Sequence, residues 1–299
     1  MPRNVRSSST VATEPAAPPT VSARWILAAA ALTLVGATVC LWAALCLLFW
    51  QGAWQLLYHP TSAITRTPAS ASIPYNDVAF ATTESGTPRL TGWWVPAARP
   101  ARITVLYLHG ADGNLSDTVD TLARLHAANV NVFAFDYRGY GQSQHRHPSE
   151  ARWRQDADWA IDYLANTRHV DPGAIAVAGT GLGANLALDL AARRPELAGV
   201  LLEHLLDEPE QVIFRDPRAR LVPAHSLVHE RWDPIAPATD LRIPSLWFYT
   251  DDPKAGHSPQ TAARVSASRM EVWLTHGPGE RANYIDAVSR WADQLVIKR

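Results

Sequence analysis

The sequence predicts a doubly wound, mostly parallel α/β sheet preceded by one transmembrane helix. Three observations carry this. Short continuous Val/Ile/Leu-rich runs alternate with helical patterns from residue 76 onward, as in a sheet buried on both faces. Gly-rich loops follow several of those runs. An uncharged apolar stretch of one helix's length precedes them all, from Trp25 to Trp50.

The chain has 299 residues, 47% hydrophobic and 18% charged, with a formal net charge of −1. That length suits one large α/β domain plus an accessory segment. The charge gives no footprint for nucleic acid, which is not expected as a partner. The two cysteines, Cys40 and Cys46, both lie in the apolar stretch. Neither a disulfide framework nor a cysteine-based zinc site is expected in the domain, and no metal or cofactor is assigned.

Residues 1–23 are rich in Ser, Thr, Ala and Pro and read as a disordered tail. Residues 24–58 read as a signal anchor with its interfacial end. As a helix, Trp25–Trp50 would span roughly 39 Å, more than the ~30 Å hydrocarbon core. It exceeds an ordinary signal-peptide core, and no A-x-A cleavage site follows. Trp25 at one end and Trp50, Trp54 and Tyr58 at the other suit interfacial belts. Arg3, Arg6 and Arg24 precede the span, whereas the first basic residue after it is Arg66. This bias puts the N-terminus in the cytoplasm and the domain on the extracytoplasmic side, periplasmic or lumenal.

Residues 59–75 read as a connector and 76–299 as the domain. Strands are expected at 78–82, 90–96, 103–110, 131–139, 174–180, 199–205, 245–251 and 270–276. Helices are expected at about 117–128, 150–166, 183–194, 258–267 and 283–296. A short cap is placed at about 204–240, with the acidic "EHLLDEPEQ" (203–211) read as solvated. Ligands in such sheets sit at the carboxyl ends of strands. There "LHGADGN" (108–114) turns on Gly110 and Gly113, "DYRGYGQS" (136–143) closes the fourth run, and "AVAGTGLGANL" (176–186) leads into a helix. Asp136 and Arg138 are read as bracing rather than catalytic. His145 and His147 are read as surface residues, and most of the tryptophans as packing.

These motifs, in this order, resemble the α/β-hydrolase superfamily. More narrowly they resemble its single-pass, membrane-anchored branch of serine-aminopeptidase-like and lipid- or thioester-hydrolase-like proteins. "PSE" (148–150), "LLYHP" (56–60), "PYNDVAF" (74–80) and "LTGWWVPA" (90–97) extend the resemblance over nearly everything after the tail. The resemblance implies a G-x-S-x-G elbow whose serine attacks an acyl carbon. Here that elbow falls on Gly179, Gly181 and Gly183, so the nucleophile position is Gly181 and the serine is absent. Thr180 sits one residue early. The implied oxyanion donors are the backbone N–H groups of Ala111 and Leu182. The acid position falls on Asp251 or Asp252, and the histidine position on Glu280, with His276 or His257 as substitute bases.

Two positions of the implied triad therefore carry the wrong chemistry, and a triad needs all three in mutual hydrogen-bond reach. The expectation is a degenerate hydrolase, a pseudoenzyme binding an acyl or lipid-like ligand or a protein partner. The alternatives are an active ester, thioester or amide hydrolase with a non-standard site, and a structural membrane-tethered interaction module.

Overall fold

The computed structural model describes residues 21–250, 259–275, 277 and 279–297. The chain divides into two compact units that part between Leu47 and Leu48. Ten strands run in chain order: β1 His59–Pro60, β2 Asn76–Phe80, β3 Leu90–Val95, β4 Thr104–Leu108, β5 Asp112–Gly113, β6 Asn131–Asp136, β7 Ile175–Thr180, β8 Gly199–Glu203, β9 Ser245–Thr250 and β10 Arg269–Leu274. The helices are α1 Ala23–Gly52, α2 Val119–Ala127, α3 Glu150–Asp162, α4 Leu182–Arg193, α5 Gln211–Phe214, α6 Ala224–Leu227, α7 Ile235–Asp240, α8 Pro259–Ala262 and α9 Glu280–Ile297.

Helix α1 begins one unit and ends in the other. With its 3₁₀ continuation it runs from Ala23 to Leu56, with a mean hydropathy of 2.3 over an 18-residue stretch, long and apolar enough to cross a membrane. Its two internal threonines, Thr33 and Thr38, return their hydroxyls to the carbonyls of Ala29 and Leu34. Each donor is thereby satisfied within the helix itself.

Eight strands form one sheet in the order β10-β9-β8-β7-β4-β6-β3-β2. Every pairing is parallel from β10 across to β6, whereas β3 pairs antiparallel with both β6 and β2. The buried residues of the central strands alternate between two faces. Val105, Tyr107, Val132, Ala134, Ala176 and Ala178 join one core with the inner faces of α2 and α9. Their neighbours Leu106, Phe133, Phe135 and Val177, equally buried, turn the other way, as the period of two requires. Helices α3 and α4 pack on one another and bury Trp153, Ile161, Leu186 and Leu190. The strand order reverses at β4, which has β6 on one side and β7 on the other. The crevice at the carboxyl ends of β4 and β7 is thus the place where this architecture puts a ligand.

Two expectations change. The helix expected at 258–267 shortens to four residues, because turns replace it after Ala262. The stretch 59–75 holds a strand: β1 pairs in parallel with β5, His59 opposite Asp112 and Pro60 opposite Gly113. Pairs this short leave almost no periodic trace in a sequence.

Candidate active site

The turn from β7 into α4 is built by what its glycines lack. A Cβ on Gly179 would fall on the backbone of Gly183, and one on Gly183 on the carbonyl oxygens of Leu108 and His109. Strand β7, helix α4 and the end of β4 therefore approach backbone to backbone, as only glycine allows. Gly181 caps α4 at φ 54° and ψ −125°, a conformation costly for other residues. Yet a Cβ there would meet nothing within 4 Å. The Gly181 N–H donates to the Glu203 carbonyl (3.0 Å), tying the turn to the end of β8.

The loop after β4 is locked from outside. Ala111 offers its carbonyl to the His59 N–H (2.9 Å) and to the Tyr140 hydroxyl (2.8 Å), while β1 holds β5. Asn114 and Asp117 close a reciprocal capping box at the start of the next turn. Gly181, Ala111 and Leu182, the expected elbow and oxyanion positions, line one cavity of about 580 Å³. Leu182 is the first residue of α4, where N–H groups have no intrahelical acceptor. Apolar walls come from Leu56 and Leu57, just after α1, and from Leu206, Pro209 and Val212 of the cap.

His109 also borders this cavity but belongs to the scaffold. Its ring is buried among Tyr137, Tyr140 and Trp153. Nδ1 lies 2.8 Å from the Gly110 carbonyl, which makes it the protonated nitrogen. Burial pushes the imidazole down to about 4. Nε2 stands 3.5 Å from the Asp136 carboxylate, too long for a good hydrogen bond. Burial pushes Asp136 up to about 7, against the N–H of Leu115 that it accepts. Arg138 binds Asp156 through both its side chain (2.6 Å) and its backbone N–H (2.9 Å). Both residues brace loops.

Across the cavity stands a cluster that sequence reasoning missed. Glu203, expected in a solvated segment, is instead 5% exposed. It ends an apolar strand, so its carboxylate is carried beneath the site rather than out to water. Tyr284 donates to its Oε1 at 2.5 Å. Burial pushes Glu203 up, while the Arg124 charge and the Tyr284 hydrogen bond oppose that. Arg124 lies over the Tyr284 ring, 4.3 Å from its centroid, and donates to Thr121 (3.1 Å). The one signal in the sequence was an acid terminating the apolar run "GVLLE", which by itself does not distinguish a buried carboxylate from a solvated one.

Glu280 opens α9, half-buried, with Oε1 4.0 Å from Arg124. It does not line the cavity; it meets it through Arg124, which does. Asp251, Asp252, His257 and His276 lie outside the described residues.

The cap is held at both ends by Asn185, one turn after Gly181. Its amide donates to the carbonyls of Leu206 (2.7 Å) and Trp232 (3.1 Å), and its Oδ1 accepts the Leu206 N–H (3.1 Å). A second brace joins the segment after α1 to the cap. The Tyr58 hydroxyl donates to Glu230 (2.6 Å) and accepts from the Trp232 indole (2.9 Å). Glu150 accepts the N–H groups of Arg231 and Trp232.

Comparison with known proteins agrees with this fold. An uncharacterized protein of Mycobacterium tuberculosis is 36% identical over 156 residues, 51% of this chain and 53% of its own length. The chain spans about half the length of the curated relatives it matches. Among solved structures, an α/β hydrolase from Vibrio vulnificus superposes with a TM-score of 0.56 at 22% identity, over 75% of this chain and 81% of that one. A Pyrococcus furiosus esterase does so with a TM-score of 0.58 at 18% identity, over 80% and 98%. At these identities the likeness is one of fold. The family model for serine aminopeptidase, S33, matches residues 99–264, more than half the chain and both the β4 loop and the β7–α4 turn. The chain belongs to that family of α/β hydrolases.

Proposed function

We propose that this protein is a degenerate hydrolase, tethered by its N-terminal helix, that binds an acyl or lipid-like ligand in the cavity beside Gly181. One observation carries the reading. At the turn where the family places its nucleophile, the flanking glycines remain sterically compulsory, the space above is open, and the residue between them has no side chain. Without a nucleophile no covalent acyl intermediate forms, and only the modest acceleration of an oxyanion site and binding remains, on the order of 10³–10⁴-fold. The apolar walls and a volume of about 580 Å³ suit a ligand of drug-like size with an aliphatic part.

A second reading has its own support in Glu203. A buried carboxylate with a raised pKa, bordering the same cavity, is suited to take a proton from water. Water oxygen would bond to an acyl carbon over Gly181 while its proton passes to Glu203, which then returns a proton to the leaving group.

The test is hydrolysis of ester and thioester substrates by the full chain in detergent, beside a serine-directed fluorophosphonate probe. The degenerate reading predicts no turnover and no labelling for the natural chain. Turnover without labelling, lost in Glu203→Gln, would replace it with the water mechanism.

A further inference from the structure

The cap carries a surface unlike the rest of the domain. Between Gln211 and His229 the sequence has Arg215, Arg218 and Arg220, two histidines and a single acid, Asp216, in a chain whose net charge is −1. All three arginines are exposed, and no exposed residue of this stretch is acidic. Asp216 is taken by Arg218 at 2.8 Å. Val212 and Leu221, 48% and 60% exposed, stand among these charges. After Trp50 the only other exposed large apolar residues, among those described, are Trp273 and Ile297. Cations interleaved with exposed aliphatic residues on short helices are the composition of an interfacial surface.

Its position in the chain says which interface. Val212 lines the cavity together with Leu56 and Leu57, and α5 packs against the 3₁₀ turn Ala53–Leu56. That turn follows Gly52, the last residue of α1, directly. Four residues reach at most about 14 Å even fully extended. Leu56 in the cavity wall is therefore held within that distance of the end of the apolar helix, and the cap helix α5 packs against the same turn.

We propose that residues 211–229 dock on an anionic lipid bilayer, and that the cavity beside Gly181 opens onto the docked face through Val212. The proposal rests on the tether described under the proposed function. The arginines meet lipid phosphates and anionic head groups, Val212 and Leu221 enter the upper acyl region, and an amphiphile leaving the leaflet meets the apolar walls first. A nucleic acid backbone would use the arginines alone and leave the two aliphatic residues in water.

The full chain is reconstituted in vesicles of phosphatidylcholine, with and without phosphatidylglycerol, on a Cys40→Ala/Cys46→Ala background. Single cysteines carry an environment-sensitive fluorophore in Val212→Cys, Leu221→Cys, Trp50→Cys and Glu84→Cys, the last in an exposed loop. A lipid-borne quencher reports contact. The expected result is several-fold stronger quenching at 212 and 221 than at 84. It should require phosphatidylglycerol, weaken at high salt, and fall in Arg215→Glu/Arg220→Glu. Quenching at 50 with 212 and 221 as silent as 84 would overturn the docking surface and leave the tether standing. Silence at 50 as well would remove the tether, and the docking with it. Equal quenching without phosphatidylglycerol would refute the anionic requirement. A response at 212 and 221 to duplex DNA but not to anionic lipid would assign the surface to another partner.

Discussion

The β7–α4 turn and the end of β8 lie on neighbouring strands, border one cavity and share a hydrogen bond from Gly181 to Glu203, but different forces hold them. The turn is a matter of backbone contact: Gly179 and Gly183 are fixed by carbonyls that leave no room for a Cβ. The end of β8 is a matter of side chains. Glu203, Tyr284 and Arg124 come from a strand and two helices far apart in sequence, and they meet through a hydrogen bond and a cation–π contact. In this chain one half of the site is set by backbone sterics within five consecutive residues, whereas the other depends on side chains that meet from distant elements.

The sharpest way to break this contrast is at the glycines. Gly183→Ala drives a methyl into two carbonyls of the β4 end, and is expected to cost about 3 kcal/mol or more, a large part of a domain's stability. Gly181→Ala meets open space and should cost about 1–2 kcal/mol, the strain of its φ alone. Denaturant unfolding of the full chain in detergent measures both; equal losses would mean that the turn is not sterically fixed.

The side-chain half is tested next. Tyr284→Phe removes the donor to a buried carboxylate and should cost about 1–3 kcal/mol. In a double-mutant cycle with Glu203→Gln the two losses should fall short of additive. Full additivity would show that Tyr284 does not hold the carboxylate.

The buried groups behind the turn give a smaller, pH-dependent effect. Asp136 sits at about 7 in the folded protein, above roughly 3.9 unfolded. The folded state then binds more protons between those values, and Asp136 makes stability fall as pH rises through them. His109 at about 4, below roughly 6.5 unfolded, acts in the opposite sense over about pH 4–6.5. The two should largely cancel. Asp136→Asn keeps an acceptor for the Leu115 N–H and removes only the first contribution, so its stability should climb relative to the parent between about pH 4 and 7. A constant difference would place the carboxyl outside that range.

Smallest is the exposed pair of His59 and Asp112, 2.6 Å apart on the loop's outer edge. Solvent screens it, and His59→Ala should cost only a few tenths of a kcal/mol. A larger loss would show that the β1–β5 pairing needs that side chain as well as its backbone.

What was readable in the sequence follows the same division. Buried parallel strands announce themselves as runs such as "ITVLYL", and the eight main strands lie within a few residues of where their hydrophobic runs put them. The glycine turn was readable because steric rules act over five consecutive residues. The β1–β5 pair was not, since each strand is two residues long and its partner is far away. Nor was the Glu203 cluster: an acid at a strand end reads as solvated until Tyr284 and Arg124 are known to face it. Glu280 shows a limit of matching by loop register. An acid in the first turn of a helix is favourable there in its own right, so its place at the histidine position needs no chemistry to explain it.

Asn185 ties together the two ends of the cap, at Leu206 and Trp232. The cap begins and ends at a single side chain, itself rooted one turn beyond Gly181. Whatever length or composition lies between Leu206 and the Glu230–Trp232 brace, the scaffold meets the same anchor points. The intervening segment is thus an exchangeable cassette: caps from related chains, spliced between these ends, should alter what the protein recognises while leaving the scaffold as it is.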